Sequence, residues 1–290
     1  MPTALSFEEK LATEYGSLSA KLRDAADYVA TNQLDVATRS LRSVSATSGL
    51  APATFSRLAR ALDFDSYEEL REMLRSAVGR QVSSFSEKVT RLQAEAADVT
   101  QPPFLQRQSS ACATNIETLV HQADQTRLNA AVDQLHTARH VHLLGALGST
   151  GIVEYLSYMA NFFTDNWMIV GRMGASLGAG IANVTDQDAL IIITKPPFAK
   201  SAIRGAEMAA KQGAYVIVIT DTHTCPALAH ASASFIVPTD SPQFFSSYAA
   251  TLVLAETLIG MLVARAGHKA QSRIADVGAR NRSLGELWDG

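Results

Sequence analysis

The chain is poor in cysteine and has no long uncharged apolar segment, and each shortage excludes a class of protein. The two cysteines, Cys112 and Cys225, are too far apart to match the spacing of a zinc site or a redox pair. We expect both to be buried thiols in a reducing cytoplasm. The most apolar long run, 248–264, contains Glu256 and falls short of a comfortable membrane span. It predicts a buried or interface helix and no membrane partner.

Basic charge is also scarce, because the formal net charge is −3 at pH 7. A generally basic surface is therefore excluded, and any contact with nucleic acid must come from a local patch. The first residues, MPTALSFEEK, lack the basic segment and apolar core of a secretory signal, which favours a cytoplasmic location. With 47% hydrophobic and 18% charged residues, the composition is typical of a soluble globular protein with one large or two modest domains.

Acidic residues are absent between Asp35 and Asp63, and this stretch contains a candidate DNA-binding motif. The segment LRSVSATSGLAPATFSRLARALDF predicts two short helices, with Gly49 left-handed in the turn and Pro52 in the first turn of the second helix. This is the pattern of a helix-turn-helix; the alternative is an ordinary helical hairpin with a solvated arginine face. Guanidinium and hydroxyl groups suit phosphates and base edges. The predicted DNA contacts are Arg39, Arg42, Pro52, Thr54, Ser56, Arg57 and Arg60.

A candidate ligand site lies in 140–163, HVHLLGALGSTGIVEYLSYMANFF. The apolar run 141–144 predicts a strand, and the apolar spacing over 152–163 predicts a helix. Glycines in the turn between them let the backbone approach a guest. Unpaired N–H groups at the helix start, together with the hydroxyls of Ser149 and Thr150, favour a phosphate or a carboxylate. The alternative is a turn that is rich in glycine for steric reasons alone.

From residue 140 onward, strands and helices alternate, which predicts an α/β domain with a doubly wound parallel sheet. Near-continuous apolar strands such as ALIIIT and YVIVIT are expected when helices cover both faces of the sheet. The predicted strands are 141–144, 167–170, 189–194, 215–220 and 234–237, and a long helix is predicted over 244–264. We place a helix-turn-helix domain in 1–80, a helical linker in 81–125, the sheet domain in 126–268 and a polar C-terminal tail in 269–290.

Three segments together resemble a known family: SVSATSGLAPATFSRLARALDFDSYEELR in the first part, then LLGALGST and AAKQGAYVIVITDT. The last two are similar to segments of sugar isomerase (SIS) domains, and the combination resembles the RpiR family of bacterial transcriptional regulators. The resemblance implies an all-helical helix-turn-helix domain followed by a SIS-type five-stranded sheet in flavodoxin-like order. It also implies a homodimer or homotetramer that binds operator DNA, responds to a small phosphorylated sugar and controls genes of carbohydrate metabolism. We expect no cofactor and no metal.

The resemblance also assigns roles within the DNA-binding motif. By position, it implies that Thr54, Ser56 and Arg57 enter the major groove, while Arg42 and Arg60 lie nearer to phosphates.

The loop after the third strand departs from the family pattern. SIS domains usually have a turn rich in serine and threonine there, whereas this chain has TKPPFAKS at 194–201. The two prolines lack N–H donors, and Lys195 and Lys200 are expected to act as point charges instead. A carboxylate or weakly bound phosphate, and a pocket without a ligand, therefore remain alternatives. The predicted effector contacts are Gly145, Gly148, Ser149, Thr150, Lys195, Ser201, Ser246 and Ser247.

SIS domains also occur in isomerases, which need a carboxylate or histidine base near the sugar carbons. Glu154 and His223 are candidate bases, but each has an ordinary explanation, as a first-turn acid and as a loop residue. No paired acid and base is evident, and the attached DNA-binding motif argues against catalysis. The alternatives are a sugar-phosphate isomerase and a dimerising regulator without a ligand.

Overall fold

A computed structural model describes residues 7–82, 85–98, 100–171 and 176–288. The chain divides into two compact units, Met1–Arg91 and Leu92–Gly290. The division falls inside the segment 81–125, for which the sequence predicts a helical linker.

The described residues of the first unit form helices around one apolar core. Tyr28 and Tyr67 pack edge-on against the ring of Phe55, at centroid distances of 6.1 and 6.2 Å. Leucines spaced one helical turn apart, among them Leu58 and Leu62, complete the core. The helices are α1 (Phe7–Glu14), α2 (Ala20–Thr31), α3 (Gln33–Thr38), α4 (Leu41–Ser48), α5 (Pro52–Ala61) and α6 (Tyr67–Val82), with a 3₁₀ turn at Tyr15–Ser17. The division between the units falls within the next helix, α7 (Phe85–Ala97).

The second unit contains a five-stranded sheet in which every pairing is parallel, in the order β2-β1-β3-β4-β5. This confirms the predicted doubly wound sheet and its flavodoxin-like order. The strands are β1 (Val141–Gly145), β2 (Trp167–Ile169), β3 (Ala189–Ile193), β4 (Tyr215–Thr220) and β5 (Ala233–Ile236). The helices are α8 (Phe104–Gln122), α9 (Gln125–Thr137), α10 (Thr150–Phe163), α11 (Leu177–Ile181), α12 (Lys200–Lys211), α13 (Ala249–Ala266) and α14 (His268–Ser283), with 3₁₀ turns at Leu147–Ser149 and Pro226–His230.

Helices cover both faces of this sheet, which explains the near-continuous apolar strands. Alternate side chains of β3 enter different cores: Ile191 and Ile193 pack with residues of α8, α9, α10 and α13, whereas Leu190 and Ile192 pack with residues of α11 and α12. Strand side chains point to opposite faces in turn, so a strand buried on both sides must be apolar throughout.

Two C-terminal elements differ from the predicted ones. The long helix begins at Ala249 and not at 244, because the backbone of Ser247 is used outside the helix: its N–H donates to the Thr239 carbonyl over 2.9 Å. The segment predicted as a polar tail forms α14 over most of its length, and Ala270 on that helix is buried.

Among the described residues, α13 is the one helix that is long and apolar enough to cross a membrane by length and composition. A core helix passes the same test, and Leu254, Leu258 and Leu262 of α13 pack in the apolar core of the second unit. The finding is therefore weak evidence for a membrane span.

A buried carboxylate ties together the starts of β1 and β3. The Asp188 side chain is fully buried and accepts hydrogen bonds from Arg139 Nε and Nη2, at 3.0 and 2.6 Å, and from the N–H groups of His140 and Thr185. Burial alone would raise the pKa of Asp188, but the bonds from Arg139 and Thr185 outweigh it and lower the pKa to about 2. The ionised carboxylate is therefore part of the folded structure.

Replacing Asp188 by Asn should destabilise the protein at pH 7 by on the order of 2 kcal/mol, the value of the pKa shift. Because the folded-state pKa lies below the unfolded one, this contribution is complete above pH 4 and is lost as the pH falls toward 2. Chemical denaturation at pH 7 and pH 3 measures it, with the exposed Asp186→Asn as the control. A stability difference that is equal at both pH values would contradict the assignment.

Candidate functional site

The two helices and the turn predicted for a helix-turn-helix are present in the first unit as α4, a three-residue turn and α5. Gly49 ends α4 with φ of 71° and ψ of 7°, a left-handed conformation that glycine adopts without steric cost. Pro52 is the first residue of α5 and is exposed. The predictions of a left-handed Gly49 and of Pro52 in the first turn of the second helix are confirmed. Val44 on α4 and Phe55 and Leu58 on α5 are buried, so the apolar faces of the two helices belong to the core.

The arginines of this motif lie on its outer surface. Arg42, Arg57 and Arg60 are exposed, and Arg57 Nε donates to the Ala53 carbonyl of its own helix over 3.3 Å. Arg39 is also exposed, and its Nε lies 3.4 Å from an Asp35 carboxylate oxygen. An exposed ion pair of this kind contributes little to stability, so phosphates can compete for Arg39.

The hydroxyl groups predicted to lie beside the arginines are less accessible. Ser56 is partly buried, and its Oγ donates to the Pro52 carbonyl over 3.4 Å. Thr54 is 4% exposed, and the prediction that it enters the major groove is wrong. Thr54 precedes Leu58 by one helical turn and therefore lies on the buried face of α5.

The turn between β1 and α10 has the predicted outline, but part of its hydrogen-bonding capacity is already used. The residues Leu147–Ser149 form a 3₁₀ turn in which the Ser149 N–H donates to the Ala146 carbonyl over 3.1 Å and the Thr150 N–H donates to the Leu147 carbonyl. These two amides, which the sequence predicted to face a ligand, are thus engaged. Leu147 has a φ of 54° and is 65% exposed; this conformation is unfavourable for a leucine and is concentrated at functional sites.

The two predicted glycine contacts have different structural reasons. A Cβ at Gly145 would lie 2.6 Å from the Ser149 carbonyl oxygen and 2.8 Å from a methyl group of Val153. Gly145 therefore lets α10 pack closely against β1, as the steric alternative proposed. A Cβ at Gly148 would lie 3.2 Å from the hydroxyl of Tyr248. Gly148 is thus the residue over which the Tyr248 hydroxyl is placed.

Ser149 is 1% exposed, and its Oγ shares a hydrogen bond of 3.0 Å with Tyr248 Oη. Thr150, the first residue of α10, is partly buried. Burial raises the pKa of Tyr248, nearby Asp221 raises it further, and the bond with Ser149 partly opposes both effects. The tyrosine hydroxyl is therefore protonated at neutral pH and occupies the hydrogen-bonding position of Ser149.

Lys195 is turned toward the protein interior. It is 7% exposed, and its Nζ donates to the Ser247 carbonyl over 3.0 Å and to Thr251 Oγ1 over 2.9 Å. Nζ also lies 3.8 Å from the centroid of the Tyr248 ring. Burial lowers the pKa of Lys195 to about 7, with Asp221 partly opposing the shift. Two of the donors of Lys195 are thus bonded to protein acceptors, which argues against the expectation that it presents a point charge to an anion.

The remaining predicted effector residues lie around Ser149, Tyr248 and Lys195 or apart from them. Ser247 is buried, and its Oγ accepts from the Ala249 N–H over 3.2 Å. Ser246 and Ser201 are partly buried, and no hydrogen bond within the described residues joins either of them to Ser149 or Lys195. Through Tyr248, the structure thus brings together Ser149, Lys195 and Ser247.

Residues that sequence reasoning missed complete the group: Tyr248, Thr251 and Asp221. Tyr248 and Thr251 belong to the start of α13, and Asp221 follows β4 and accepts from Thr239 Oγ1 over 2.8 Å. The available signal was the lysine itself, because a lysine directly after a buried strand requires acceptors from other parts of the chain.

The segment 239–248 is also attached to α8. The carboxamide of Asn115, which is buried, donates to the Asp240 carbonyl over 2.8 Å and accepts from the Asp240 N–H over 3.1 Å. Ser241 Oγ donates to Gln108 Oε1 over 3.2 Å, and Cys112 Sγ lies 3.5 Å from Ser247 Oγ. Three positions on one helix face therefore hold the segment that carries Tyr248.

The candidate catalytic residues lie on the surface of the second unit. Glu154 and His223 are both exposed. Among the described residues, no group of three or more His, Cys, Asp and Glu side chains is arranged to hold a metal ion.

Comparison with protein-family models assigns the sheet unit. The model of the SIS domain matches residues 134–261. This part of the chain is a SIS domain. A search of the curated proteins found no relative with significant sequence similarity.

Solved structures show the same fold. The NanR protein of Vibrio vulnificus, complexed with ManNAc-6P, is similar over 96% of this chain and 99% of its own, at 17% identity and a TM-score of 0.54. The sugar isomerase domain of an RpiR transcription factor from Sphaerobacter thermophilus is similar over 59% of this chain and 96% of its own, at 18% identity and a TM-score of 0.56. The predicted resemblance is confirmed in its architecture: a helical N-terminal region that fits a helix-turn-helix, followed by a SIS domain.

A further solved structure is only weakly similar. A hypothetical protein of Methanococcus jannaschii, for which 3-hexulose-6-phosphate isomerase activity was inferred, is similar over 58% of this chain and 94% of its own, at 15% identity and a TM-score of 0.45. A similarity of that size supports neither a regulator nor an isomerase.

The buried lysine of the SIS domain makes stability depend on pH. Because the folded-state pKa of Lys195 lies near 7 and that of an unfolded lysine near 10.4, the unfolded chain binds more protons between these values. The free energy of unfolding of the wild type should therefore rise from pH 7 to pH 9.5, by on the order of 1 kcal/mol per unit, relative to Lys195→Met.

Urea denaturation at both pH values tests this, with Lys200→Met as the control for an exposed lysine. Tyr248 and Asp221, the ionisable groups beside Lys195, are present in all three proteins. If wild type and Lys195→Met have parallel pH profiles, Lys195 is not buried in its uncharged form.

Proposed function

We propose that the chain is a DNA-binding transcriptional regulator of carbohydrate metabolism genes whose SIS domain binds a phosphorylated sugar or a related anionic metabolite. The observation that carries the proposal is the combination in one chain of an outward arginine face on a helix-turn-helix and a serine-bearing strand-to-helix turn in a SIS domain. Similarity to a NanR structure over nearly its whole length supports the same combination.

On the DNA side, Arg57 is the candidate for reading a base, and Arg39, Arg42 and Arg60 are candidates for contacting phosphates. Arginine suits both tasks because its fork donates two parallel hydrogen bonds to guanine or to a phosphate. Thr54 is excluded from this set by its burial, and Ser56 and Pro52 remain at the rim of the surface.

On the effector side, the turn 145–150 is the candidate anion site. The N–H groups of Leu147 and Gly148 come before the two amides that are bonded in the 3₁₀ turn. The first N–H groups of a helix lack intrahelical acceptors. Together with the Ser149 hydroxyl, these donors and the positive end of the α10 dipole suit a phosphate. The strained backbone of Leu147 supports a functional role for the turn.

Control of DNA binding requires an assembly and two states. A homodimer or homotetramer in the cytoplasm would place two DNA-binding motifs on a two-fold operator, with half-sites about one helical turn or more apart. The effector would shift the population between arrangements of these motifs, for which it must bind the two states with different affinity.

Catalysis is not part of the proposal. Glu154 and His223 are exposed and supply no buried acid–base pair, and a SIS fold by itself does not imply isomerase chemistry.

Replacing Arg57 by Ala should weaken specific DNA binding by about 1–3 kcal/mol, the value of one good base contact. Fluorescence anisotropy on genomic fragments selected by the wild-type protein measures this. Arg75→Ala is the matched control, because Arg75 is an exposed arginine of α6 paired with Glu72. Equal affinity of all three proteins would remove Arg57 from the interface.

Replacing Ser149 by Ala should abolish most of the stabilisation that a sugar phosphate confers, because ligand binding stabilises by mass action. Thermal unfolding against ManNAc-6P, glucose 6-phosphate, fructose 6-phosphate and inorganic phosphate measures the response. Ser157→Ala, two turns further along α10, is the control. A full response in Ser149→Ala would place the phosphate elsewhere in the SIS domain.

A further inference from the structure

We propose that Tyr248 competes with the effector for the Ser149 hydroxyl, so that the site binds its ligand more weakly than it would without the tyrosine hydroxyl. The inference rests on the proposed function, because it assumes that the turn 145–150 is the effector site. It adds a residue and a competing hydrogen bond that the fold alone does not supply.

The hydroxyl of Tyr248 lies beside the turn 145–150. Tyr248 Oη lies 3.0 Å from Ser149 Oγ and would be 3.2 Å from a Cβ at Gly148. It therefore lies directly over the residues that would contact an effector oxygen. A hydroxyl is both a donor and an acceptor, so it satisfies Ser149, which is buried away from water.

Lys195 holds Tyr248 in its position beside Ser149. The Tyr248 ring lies against Lys195, whose Nζ is 3.8 Å from the ring centroid. The same Nζ donates to the carbonyl of Ser247, the residue immediately before Tyr248, and to Thr251 on the first turn of α13. Buried hydrogen bonds of Ser247 and Thr251, which precede and follow Tyr248 in the chain, therefore hold the tyrosine in place.

A neutral sugar and a sugar phosphate differ in the strength of the hydrogen bond that each forms with Ser149. A neutral sugar hydroxyl that replaces Tyr248 Oη exchanges one neutral hydrogen bond for another and gains little. A phosphate oxygen forms a charge-assisted hydrogen bond, which is roughly twice as strong, and also interacts with the helix dipole of α10. Tyr248 lowers both affinities by the same exchange, so the difference between them comes from the stronger bond of the anion and not from the tyrosine.

The test is Tyr248→Phe, which keeps the ring against Lys195 and removes the competing hydroxyl. Isothermal titration of the full-length protein with ManNAc-6P, glucose 6-phosphate and fructose 6-phosphate, and with each unphosphorylated sugar, gives the affinities. We expect the variant to bind the sugar phosphate roughly two- to tenfold more tightly, the equivalent of one neutral hydrogen bond. Because every ligand displaces the same hydroxyl, we expect the ratio between the affinities for the phosphorylated and the neutral sugar to stay unchanged. Tyr158→Phe, an exposed tyrosine of α10, should match the wild type.

The outcomes separate the two proposals. Equal or weaker binding by Tyr248→Phe, with binding by the wild type intact, overturns the competition and leaves the proposed function standing. Binding by neither protein to any sugar phosphate, with both folded by circular dichroism, overturns the proposed function itself. If the phenylalanine variant unfolds, Tyr248→Leu provides the same comparison without a hydroxyl.

Discussion

The hydrogen bonds of the buried Lys195 side chain are the constraint on which the candidate effector site depends. An ammonium or amine taken out of water must find acceptors within the protein, and Lys195 finds them in the Ser247 carbonyl and the Thr251 hydroxyl. Satisfying this one side chain fixes the end of the segment 239–248 and the first turn of α13. The placement of the Tyr248 ring, and through it of the Ser149 hydroxyl, follows from that anchor.

The same anchor changes the chemistry expected of the site. A lysine at the end of β3 suggests an electropositive pocket, but the donors of Lys195 are used within the protein. Under the proposed function, the donors to the ligand are dipoles: the start of α10, the amides of Leu147 and Gly148, and the Ser149 hydroxyl once Tyr248 is displaced. Fixed dipoles in a shielded place stabilise an anion without a full counter-charge. Such a site favours a ligand whose charge is concentrated on one group, as it is in a sugar phosphate.

Local patterns in the sequence were sufficient for most of the fold. The apolar runs located the five strands within about one residue at each end, and β4 was predicted as Tyr215–Thr220, its observed range. Gly49 and Pro52 were predicted correctly because their roles depend on their own backbone angles. The failures concern long-range packing. Thr54 is buried since α2 and α6 cover the face of α5 on which it lies, and Lys195 turns inward because acceptors 52 and 56 residues away reach it.

The attachment of the segment 239–248 to α8 suggests how occupancy at the turn can affect the rest of the chain. Asn115 holds the backbone of Asp240 through both its donor and its acceptor, so a shift of this segment without a shift of α8 would leave buried polar groups unpaired, at a cost of about 1–3 kcal/mol for each group. That cost is similar to typical coupling free energies between two sites. Displacing Tyr248 therefore requires either that the segment bends between Asp240 and Ser247 or that α8 moves with it.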